Sequence, residues 1–287
     1  MIRRMFRSFL FVPGDSERKL EKAASRGADA LILDLEDAVN ESRKGEGRRI
    51  TAEYLATRPV GGPALWVRIN PLDTVHAIDD VAAILPRRPA GIVLPKARSR
   101  GDVVTLAAWL DGQDPARSIG ILPIITETPA AALTVAEYTA GAPRLAGLTW
   151  GSEDLGAALA VGATRNAAGD WLPLFQQVRH ATRLAAAAAG VPAIETVYTA
   201  IDDGAGLAAQ IASARLMGFA GMMAIHPGQV AAINAGFAPT DAELARAKQV
   251  VAAFAAAGNA GVIRLDGRML DRPHLVNAQA LLRAAGG

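Results

Sequence analysis

The stretch LILDLEDAV, Leu31–Val39, joins a buried-strand pattern to three carboxylates. Its apolar residues predict a β-strand inside a core, and Asp34, Glu36 and Asp37 come where that strand ends. A carboxylate beside a buried strand loses its hydration, and this costs free energy unless a positive group lies close to it. The stretch therefore raises the question of what compensates these charges: a basic side chain, a metal ion, or simple exposure at the surface.

Short apolar, β-branched runs alternate with longer segments of helical periodicity along the chain. The predicted strands lie near Ser8–Val12, Ala30–Leu33, Leu65–Ile69, Gly91–Leu94, Gly120–Ile125, Leu145–Thr149, Ala193–Val197 and Gly221–Ile225. The clearest helical segments are Val103–Leu110 and Gly206–Met217. Strands that alternate with helices predict an α/β fold with a parallel sheet. Eight such units in 287 residues favour a (β/α)8 TIM barrel with a C-terminal helical extension.

An open, doubly wound sheet is the competing arrangement. The segment Val12–Lys19, VPGDSERK, lacks a G-x-G-x-x-G phosphate fingerprint, which weakens this alternative without eliminating it. We expect the catalytic barrel to occupy residues 1–237 and the helical extension residues 238–287. Within the extension, Thr240–Ala257 predicts an amphipathic helix and Gly258–Asp271 an irregular segment before a last short helix.

The composition restricts the classes of function. Lys and Arg number 30 against 28 for Asp and Glu, and a net charge of +2 is too small to indicate a nucleic-acid partner. The chain has no cysteine, which excludes thiolate catalysis and Cys-ligated zinc or iron–sulfur sites. No apolar run approaches the ~18 residues that cross a bilayer. We therefore expect a soluble, cytoplasmic protein with no membrane partner.

Charged and polar residues follow the predicted strands at the end where a (β/α)8 barrel carries its active site. They are Asp34, Glu36, Asp37, Arg68, Lys96, Glu127, Ser152, Glu153, Asp154, Glu195, Thr196 and His226. Arg68 lies within an apolar strand and needs an anionic partner. Lys96 is either a Schiff-base lysine or, more simply, one half of an ion pair. Acidic residues at such junctions also serve as helix caps, and a structural role is the simpler interpretation of His226.

Carboxylates without cysteine or paired histidines indicate an oxygen-ligated cation, Mg2+, Mn2+ or Ca2+, rather than zinc. Mg2+ is typically held by one or two carboxylates, with water and substrate oxygens completing its shell. Glu127 and Asp154 follow neighbouring strands and are the predicted metal ligands. The carboxylates after the second strand could bond the metal's waters. A shared cation and Arg68 are thus the expected compensation for the charges of Leu31–Val39.

Several segments together resemble a known family. They are RSFLFVPGDSERKLEKA, ALILDLEDAVNESRK, VRIN, IVLPKA, PIITETP, GSEDL and AIHPGQV. Their order and spacing resemble the citrate lyase β-chain and malyl-CoA lyase-like family, the CoA-ester branch of the HpcH/HpaI aldolase superfamily. The resemblance covers nearly the whole chain. It implies a (β/α)8 barrel, a Mg2+ cofactor (Mn2+ being the alternative) and carbon–carbon bond cleavage or formation in a 3-hydroxyacyl-CoA.

The resemblance also implies roles for individual residues. Glu127 and Asp154 would hold the metal, with Glu127 also facing the substrate. Arg68 would bind the carboxylate or carbonyl of the keto acid. Lys96, as a substrate-binding residue, and the Asp34–Asp37 cluster, with Asp37 as its catalytic member, would lie around them.

A further match concerns the C-terminal segment Gly267–Leu282, GRMLDRPHLVNAQALL. It resembles the end of malyl-CoA and citramalyl-CoA lyases, where an aspartate matching Asp271 enters the active site of a neighbouring subunit. The resemblance thus implies catalysis by Asp271 in a homo-oligomer, a trimer or hexamer. The alternative for Asp271 is a purely structural place at the start of a helix. Lys19, on the basic first helix, is expected near the CoA phosphates.

We therefore expect a Mg2+-dependent lyase whose partners are a CoA thioester and a small keto acid. Malyl-CoA, methylmalyl-CoA or citramalyl-CoA would give acetyl- or propionyl-CoA plus glyoxylate or pyruvate. Two enzymatic alternatives stay open, a malyl-CoA thioesterase and a citryl thioester lyase like the citrate lyase β-chain. A non-catalytic barrel subunit of a larger complex is the alternative from another class.

Overall fold

A computed structural model describes residues 6–58, 61–258 and 260–286, without the side chains of residues 284 and 286. Chain contacts divide it into two compact units, Phe6–Gly236 and a second one that begins at Phe237. Within the described residues, no helix combines the length and the apolar character that crossing a membrane requires.

The first unit is built on eight parallel strands. They are β1 (Ser8–Pro13), β2 (Ala30–Asp34), β3 (Ala64–Arg68), β4 (Gly91–Leu94), β5 (Gly120–Pro123), β6 (Leu148–Thr149), β7 (Ala193–Glu195) and β8 (Gly221–Ala224). Their order in the sheet is β5-β4-β3-β2-β1-β8-β7-β6. Parallel bridges from Ile121 to Leu145 and from Ile124 to Thr149 join β5 to the β6 region. The sheet therefore closes on itself as the predicted (β/α)8 barrel.

Helices follow the strands as the alternating pattern predicts. They are α1 (Glu17–Ala24), α2 (Lys44–Ala56), α3 (His76–Ile84), α4 (Arg100–Asp111), α5 (Pro129–Leu133), α6 (Glu153–Ala158), α7 (Pro173–Ala188), α8 (Gly204–Leu216) and α9 (Val230–Phe237). Local signals set several of their starts. The Thr128 side chain accepts a hydrogen bond from the Ala131 N–H at 3.1 Å, and Pro129 fills the first position of α5.

Inward-facing side chains of the strands fill the barrel. Phe9 and Trp66 meet edge to face with ring centroids 5.7 Å apart, among buried Ile32 and Leu122. Trp66 needs the glycine at position 91, where a Cβ atom would lie 2.2 Å from the indole ring. The barrel interior is thus a packed core and not a pore.

The second unit has its own small core. Its elements are α10 (Asp241–Ala256), β9 (Val262–Leu265), β10 (Arg268–Asp271) and α11 (Arg272–Gly286). Thr240 caps α10, in a reciprocal capping box with Glu243. Phe254 and Leu270 are buried in the core of this unit.

The prediction of an irregular segment over Gly258–Asp271 is wrong, because β9 and β10 form an antiparallel hairpin. Its two-residue turn is Asp266–Gly267, with φ angles of 50° and 75°. Two positive φ angles define the tight turn that matches strand twist, and Asp-Gly is its usual sequence. The signal was therefore present in the chain, between two runs with apolar residues.

Candidate active site

The carboxylate of Asp34, at the end of β2, is fully bonded within the chain. Arg68, which lies beside it in register on β3, donates from Nε and Nη2 to the two carboxylate oxygens at 2.7 Å each. The backbone N–H groups of Glu36 and Ala38 also donate to Asp34, at 3.0 and 3.1 Å. The first charge of Leu31–Val39 is therefore compensated by an arginine and by the turn that follows the strand.

Glu36 is buried between two cations. Its Oε2 lies 2.9 Å from Arg68 Nη1, and its Oε1 lies 2.5 Å from the Lys96 ammonium. Lys96 also approaches Asp154 Oδ1 at 3.3 Å. Burial opposes the charge of Lys96, but Glu36, Glu127 and Asp154 together raise its pKa above the usual range. Lys96 therefore stays an ammonium and forms the predicted ion pair, which makes a Schiff-base role unsuitable.

Burial likewise opposes the charge of Arg68, and the surrounding carboxylates outweigh it, so that the pKa of Arg68 also lies above its usual range. Asp37 is the outermost acid of the cluster, with its carboxylate 3.6 Å from Arg68 Nη1 and 3.9 Å from the Lys96 ammonium. Its side chain is 58% exposed, so it faces solvent while the other acids of β2 are enclosed.

Glu127 lies after β5 and is only 3% exposed. The backbone N–H of Lys96, at a left-handed residue with φ of 48°, donates to its Oε2. The neighbouring glycine at position 151 leaves room for it, since a Cβ there would lie 2.6 Å from Glu127 Cγ. Burial, with repulsion from Glu36 and Asp154, raises the pKa of Glu127 to about 8. The carboxylate is thus held where a further cation would be strongly favoured.

These residues border a cavity of about 420 Å³ at the carboxyl ends of the strands. Its wall includes Asp34, Asp37, Arg68, Glu127 and Asp154, opposite apolar side chains such as Phe11, Trp150 and Met223. Six carboxylates and two cations meet here when Glu153, Glu36 and Lys96 are included. The excess of acid and the enclosed volume give the chemistry of a site for a divalent cation and a small anionic ligand.

A buried lysine supports the acidic loop from behind. The Lys44 ammonium, at the start of α2, donates to the backbone carbonyls of Leu35 and Glu36 at 2.8 and 2.7 Å. The residue is only 8% exposed. Sequence reasoning missed it, because a lysine in the first turn of a polar helix ordinarily indicates a solvated face.

Glu195 does not join the cavity, although it ends β7. It is fully buried and accepts hydrogen bonds from Arg179 Nε at 2.6 Å and from Trp150 Nε1 at 2.7 Å. It therefore fixes the indole of Trp150, which lines the cavity, from outside. A signal existed for Arg179, because it lies on the same buried face of α7 as Phe175 and Thr182.

Three other sequence-based candidates have the following surroundings. His226 is structural, with Nδ1 accepting the Gly228 N–H at 3.2 Å in a helix-capping arrangement. Lys19 is exposed on α1 and does not line the cavity. Asp271 belongs to the second unit and ends β10, where its carboxylate lies 2.5 Å from His274 Nδ1.

The candidate site thus lies at the strand ends of a closed parallel barrel, where several acids surround Arg68 and Lys96. Known proteins resemble this chain in sequence and in fold. The model of the HpcH/HpaI aldolase/citrate lyase family matches residues 7–227. The chain belongs to this family. A (3S)-malyl-CoA thioesterase of Cereibacter sphaeroides is 37% identical over 98% of this chain and 94% of its own length. A citrate lyase subunit beta-like protein of Mycobacterium tuberculosis is 34% identical over 97% of this chain and 95% of its own.

Solved structures are similar to this chain over nearly its whole length. The crystal structure of CitE from Mycobacterium tuberculosis with magnesium, acetoacetate and coenzyme A matches with a TM-score of 0.82 and 31% identity. The match covers all of both chains. This extent includes the hairpin and α11, which lie beyond the part of the chain that the family model matches.

Proposed function

We propose that this chain is a Mg2+-dependent enzyme that cleaves or forms a carbon–carbon bond in a 3-hydroxyacyl-CoA. Malyl-CoA, methylmalyl-CoA or citramalyl-CoA would yield an acyl-CoA plus glyoxylate or pyruvate. The observation that carries the proposal is the pairing of an oriented arginine with two cavity-lining carboxylates, Glu127 and Asp154, in one pocket. Membership of the citrate lyase family and the magnesium, acetoacetate and coenzyme A of the CitE structure support it.

The donor set fits a magnesium ion. Across residues 6–58, 61–258 and 260–286, no group of three or more His, Asp or Glu forms a ready metal cluster. Two carboxylates suffice for Mg2+, which keeps several waters and takes oxygens from its substrate. Glu127 and Asp154 would hold it, and a bound cation would offset the burial and the acidic repulsion that raise the pKa of Glu127. When bound, Mg2+ supplies Lewis-acid polarisation of the substrate oxygens.

Arg68 is shaped to bind a keto-acid carboxylate. Asp34 takes the side edge of the guanidinium, formed by Nε and Nη2, and fixes its plane. Nη1 faces Glu36 and Asp37 at 2.9 and 3.6 Å, and the guanidinium lines the cavity, where it would donate a charge-assisted hydrogen bond to a ligand carboxylate. Phe11 lies 4.8 Å from the guanidinium carbon and shields one face. The arginine is thus oriented before any substrate arrives, so little ordering entropy is lost on binding.

Asp271 would move the α-proton of the acyl-CoA. In the condensing direction its carboxylate would take that proton while the C–H electron pair passes into the thioester carbonyl. In the cleaving direction the same proton returns to carbon. We propose that it does so in the barrel mouth of a neighbouring subunit of a homo-oligomer, a trimer or hexamer.

The hairpin carries features that support this arrangement. The register pairs Asp271 with Val262 and Met269 with Arg264, so these four side chains share one face. Val262 is 55% and Met269 71% exposed, and no helix of their own unit covers them. Two exposed apolar side chains beside a carboxylate are suited to docking on a second copy of the chain. On α1, the exposed cations Arg18, Lys19 and Lys22 would meet the CoA phosphates.

Hydrolysis of malyl-CoA is the second candidate, because the curated relatives named (3S)-malyl-CoA thioesterase match 98% of the chain. The same cavity would bind the malyl carboxylate through Arg68 and admit water to the thioester carbonyl. A non-catalytic subunit would not need an enclosed excess of acid, so the cavity disfavours that alternative. The reactions differ in product, since hydrolysis leaves malate intact whereas cleavage releases glyoxylate.

The decisive experiment incubates the full-length protein with Mg2+ and a panel of malyl-, methylmalyl-, citramalyl- and citryl-CoA. Released keto acid is measured as a hydrazone, and free hydroxy acid and CoA are measured by chromatography. We expect keto acid and acyl-CoA in equal amounts, and none after chelation with EDTA. Free malate without glyoxylate would establish the thioesterase instead, and no turnover of any panel member would contradict both.

Shared active sites are tested by complementation between two inactive variants. Co-expressed Asp271→Ala and Arg68→Ala subunits with different tags are purified as mixed oligomers. Interfaces that combine an intact Arg68 with an intact Asp271 should restore part of the activity. Mixed oligomers without recovery, combined with full activity of a chain that ends before Gly258, would show that each site is complete within one subunit.

A further inference from the structure

The Asp271 carboxylate has a partner that neither the family match nor the proposed function uses. His274 Nδ1 lies 2.5 Å from Asp271 Oδ1, and the two residues are three positions apart across the start of α11. Among the described residues, nothing bonds Asp271 Oδ2. The pair is partly exposed, with 41% of the Asp271 side chain and 53% of the His274 side chain open to solvent.

We infer that His274 is the positioning residue for Asp271, and that its Nδ1–H fixes the carboxylate with Oδ2 free to exchange a proton with the substrate. This inference rests on the base role proposed above for Asp271. The chemical class it concerns is the enolisable acyl thioester, whose α-carbon loses its proton to Oδ2. The C–H bond breaks, an O–H bond forms at Oδ2, and His274 keeps its own proton throughout.

The distances favour this assignment over a structural one. The Asp271 backbone N–H also lies near His274 Nδ1, at 3.2 Å, which resembles a capping contact at the start of a helix. One nitrogen cannot both donate to the carboxylate and accept from that N–H. An ionised carboxylate only accepts, so the shorter contact, at 2.5 Å, puts the proton on Nδ1.

The need for a positioning residue follows from where Asp271 lies. It ends a four-residue strand of a two-stranded hairpin, and such hairpins have few contacts that hold a side chain in one rotamer. A free aspartate rotates about two bonds, and misplacement of a base by about 1 Å costs much of its rate advantage. A bond to His274, on the first turn of α11, removes that freedom without occupying the reactive oxygen.

A spectroscopic test does not depend on the reaction. The imidazole nitrogens of the full-length protein are observed by 15N NMR at about pH 9, where ordinary histidines are neutral. The His274 signals are identified by their loss in His274→Asn. We expect the Nδ1–H tautomer in the wild type and its loss in Asp271→Ala. An Nε2–H tautomer with a bare Nδ1 in the wild type would show a capping role and overturn the inference.

A kinetic test measures the exchange of acetyl-CoA and propionyl-CoA α-protons in D2O with Mg2+ present. His274→Leu should slow exchange about tenfold with KM for the thioester unchanged, because only the orientation of the base is lost. His274→Asn should recover most of the rate, since the Asn amide can donate from nearly the same place as Nδ1. The exposed histidine at position 180 supplies the matched control, His180→Asn, which should match the wild type.

The base role of Asp271 and the positioning role of His274 are distinguished by different outcomes. If Asp271→Ala exchanges protons as fast as the wild type, the base role itself is wrong and the inference falls with it. If Asp271→Ala is inactive while His274→Leu is unimpaired, the base role stands and only the positioning role is overturned. Thermal unfolding of both His274 variants shows whether the hairpin unit stays folded.

Discussion

Two arginine–carboxylate clusters lie at opposite ends of the barrel and differ in how their charges are matched. At the amino ends of β5 and β6, the side chain of Arg144 is fully buried and bonds Asp111 and Asp114 at 2.7 and 2.6 Å. Burial opposes the charge of Asp114, yet bonds from the Ile119 N–H, Arg144 and Ser118 hold its pKa below the usual range. Every charge there is satisfied within the chain.

The cluster at the carboxyl ends is matched only in part. Arg68 and Lys96 lie among six carboxylates, and the pKa of Glu127 is raised to about 8 by burial and by its acidic neighbours. The first cluster is a closed structural element, while the second keeps unmet charge in a cavity. This difference is the physical basis for assigning stability to the amino end and ligand binding to the carboxyl end.

The largest expected effect is on metal binding. Glu127→Ala and Asp154→Ala should each abolish measurable Mg2+ binding in calorimetry. The proposed site has only these two protein ligands, so each variant would leave a single carboxylate to hold the ion. The exposed acid Glu137, changed to Ala, is the control and should leave affinity unaltered. Wild-type Mg2+ affinity in both cavity variants would show that the metal lies elsewhere. It would contradict the assignment of ligand binding to the carboxyl ends of the strands.

Next comes the structural cluster. Arg144→Ala leaves Asp114 buried without its counter-charge, and we expect a loss of about 3–5 kcal/mol in the free energy of unfolding by urea. Substrate KM should stay unchanged in the protein that remains folded. Arg117→Ala removes an arginine that also pairs with Asp111 but has a side chain 62% exposed, and should cost less than about 1 kcal/mol. Equal losses in the two variants would contradict a closed cluster at this end.

Arg68→Lys probes the opposite end with its charge retained. Lysine is a point charge and cannot present one edge to Asp34 and another to a substrate. We expect kcat/KM to fall, with a loss of about 2–4 kcal/mol in transition-state stabilisation. Arg98→Lys, at an exposed arginine paired with Asp102, is the matched control. A variant with unaltered kcat/KM would rule out the carboxylate clamp.

The smallest expected effect is a pH dependence of stability in metal-free protein. Since the folded-state pKa of Glu127 is about 8 against an ordinary 4.5, the native state retains a proton that the unfolded chain releases. Glu127 therefore makes its full contribution to the free energy of unfolding below about pH 4.5, and this contribution is lost as the pH rises through 8. Glu127→Gln cannot ionise.

With EDTA present, Glu127→Gln should be more stable than the wild type at pH 8, where the wild-type carboxyl has lost most of its stabilising contribution. At about pH 5 the difference should be small. Urea unfolding at both pH values measures it, with Glu137→Gln as the control. A difference that does not change with pH would mean that Glu127 is not held in its neutral form by the fold.

Much of the fold follows from local patterns in the chain. The eight strands lie where apolar, β-branched runs occur, because a barrel strand buried on both sides must be apolar throughout its length. The predicted and observed strand bounds differ mainly at β5, β6 and β7, because these strands are shorter than the apolar runs that contain them. At β5 and β6 the pairing continues beyond the strands as single bridges, Ile121 to Leu145 and Ile124 to Thr149.

Part of the site also follows from sequence. Arg68 requires an acidic partner because an arginine within an apolar run is not tolerated alone, and the ion pair of Lys96 follows from the surrounding acids. The roles of Glu127, Asp154 and Asp271 in a metal-dependent reaction stay predictions that the experiments above test.

Only the tertiary structure decided which strand-end residues face the cavity. Glu195 and Glu127 have similar places in the sequence, yet one supports Trp150 from within the wall and the other faces the pocket. Lys44 could not be recognised either, since its carbonyl partners depend on how α2 packs beneath the acidic loop. Local sequence sets where a strand ends. The direction of the next side chain depends on neighbours that lie tens of residues away in the sequence. A local sequence pattern does not identify those neighbours.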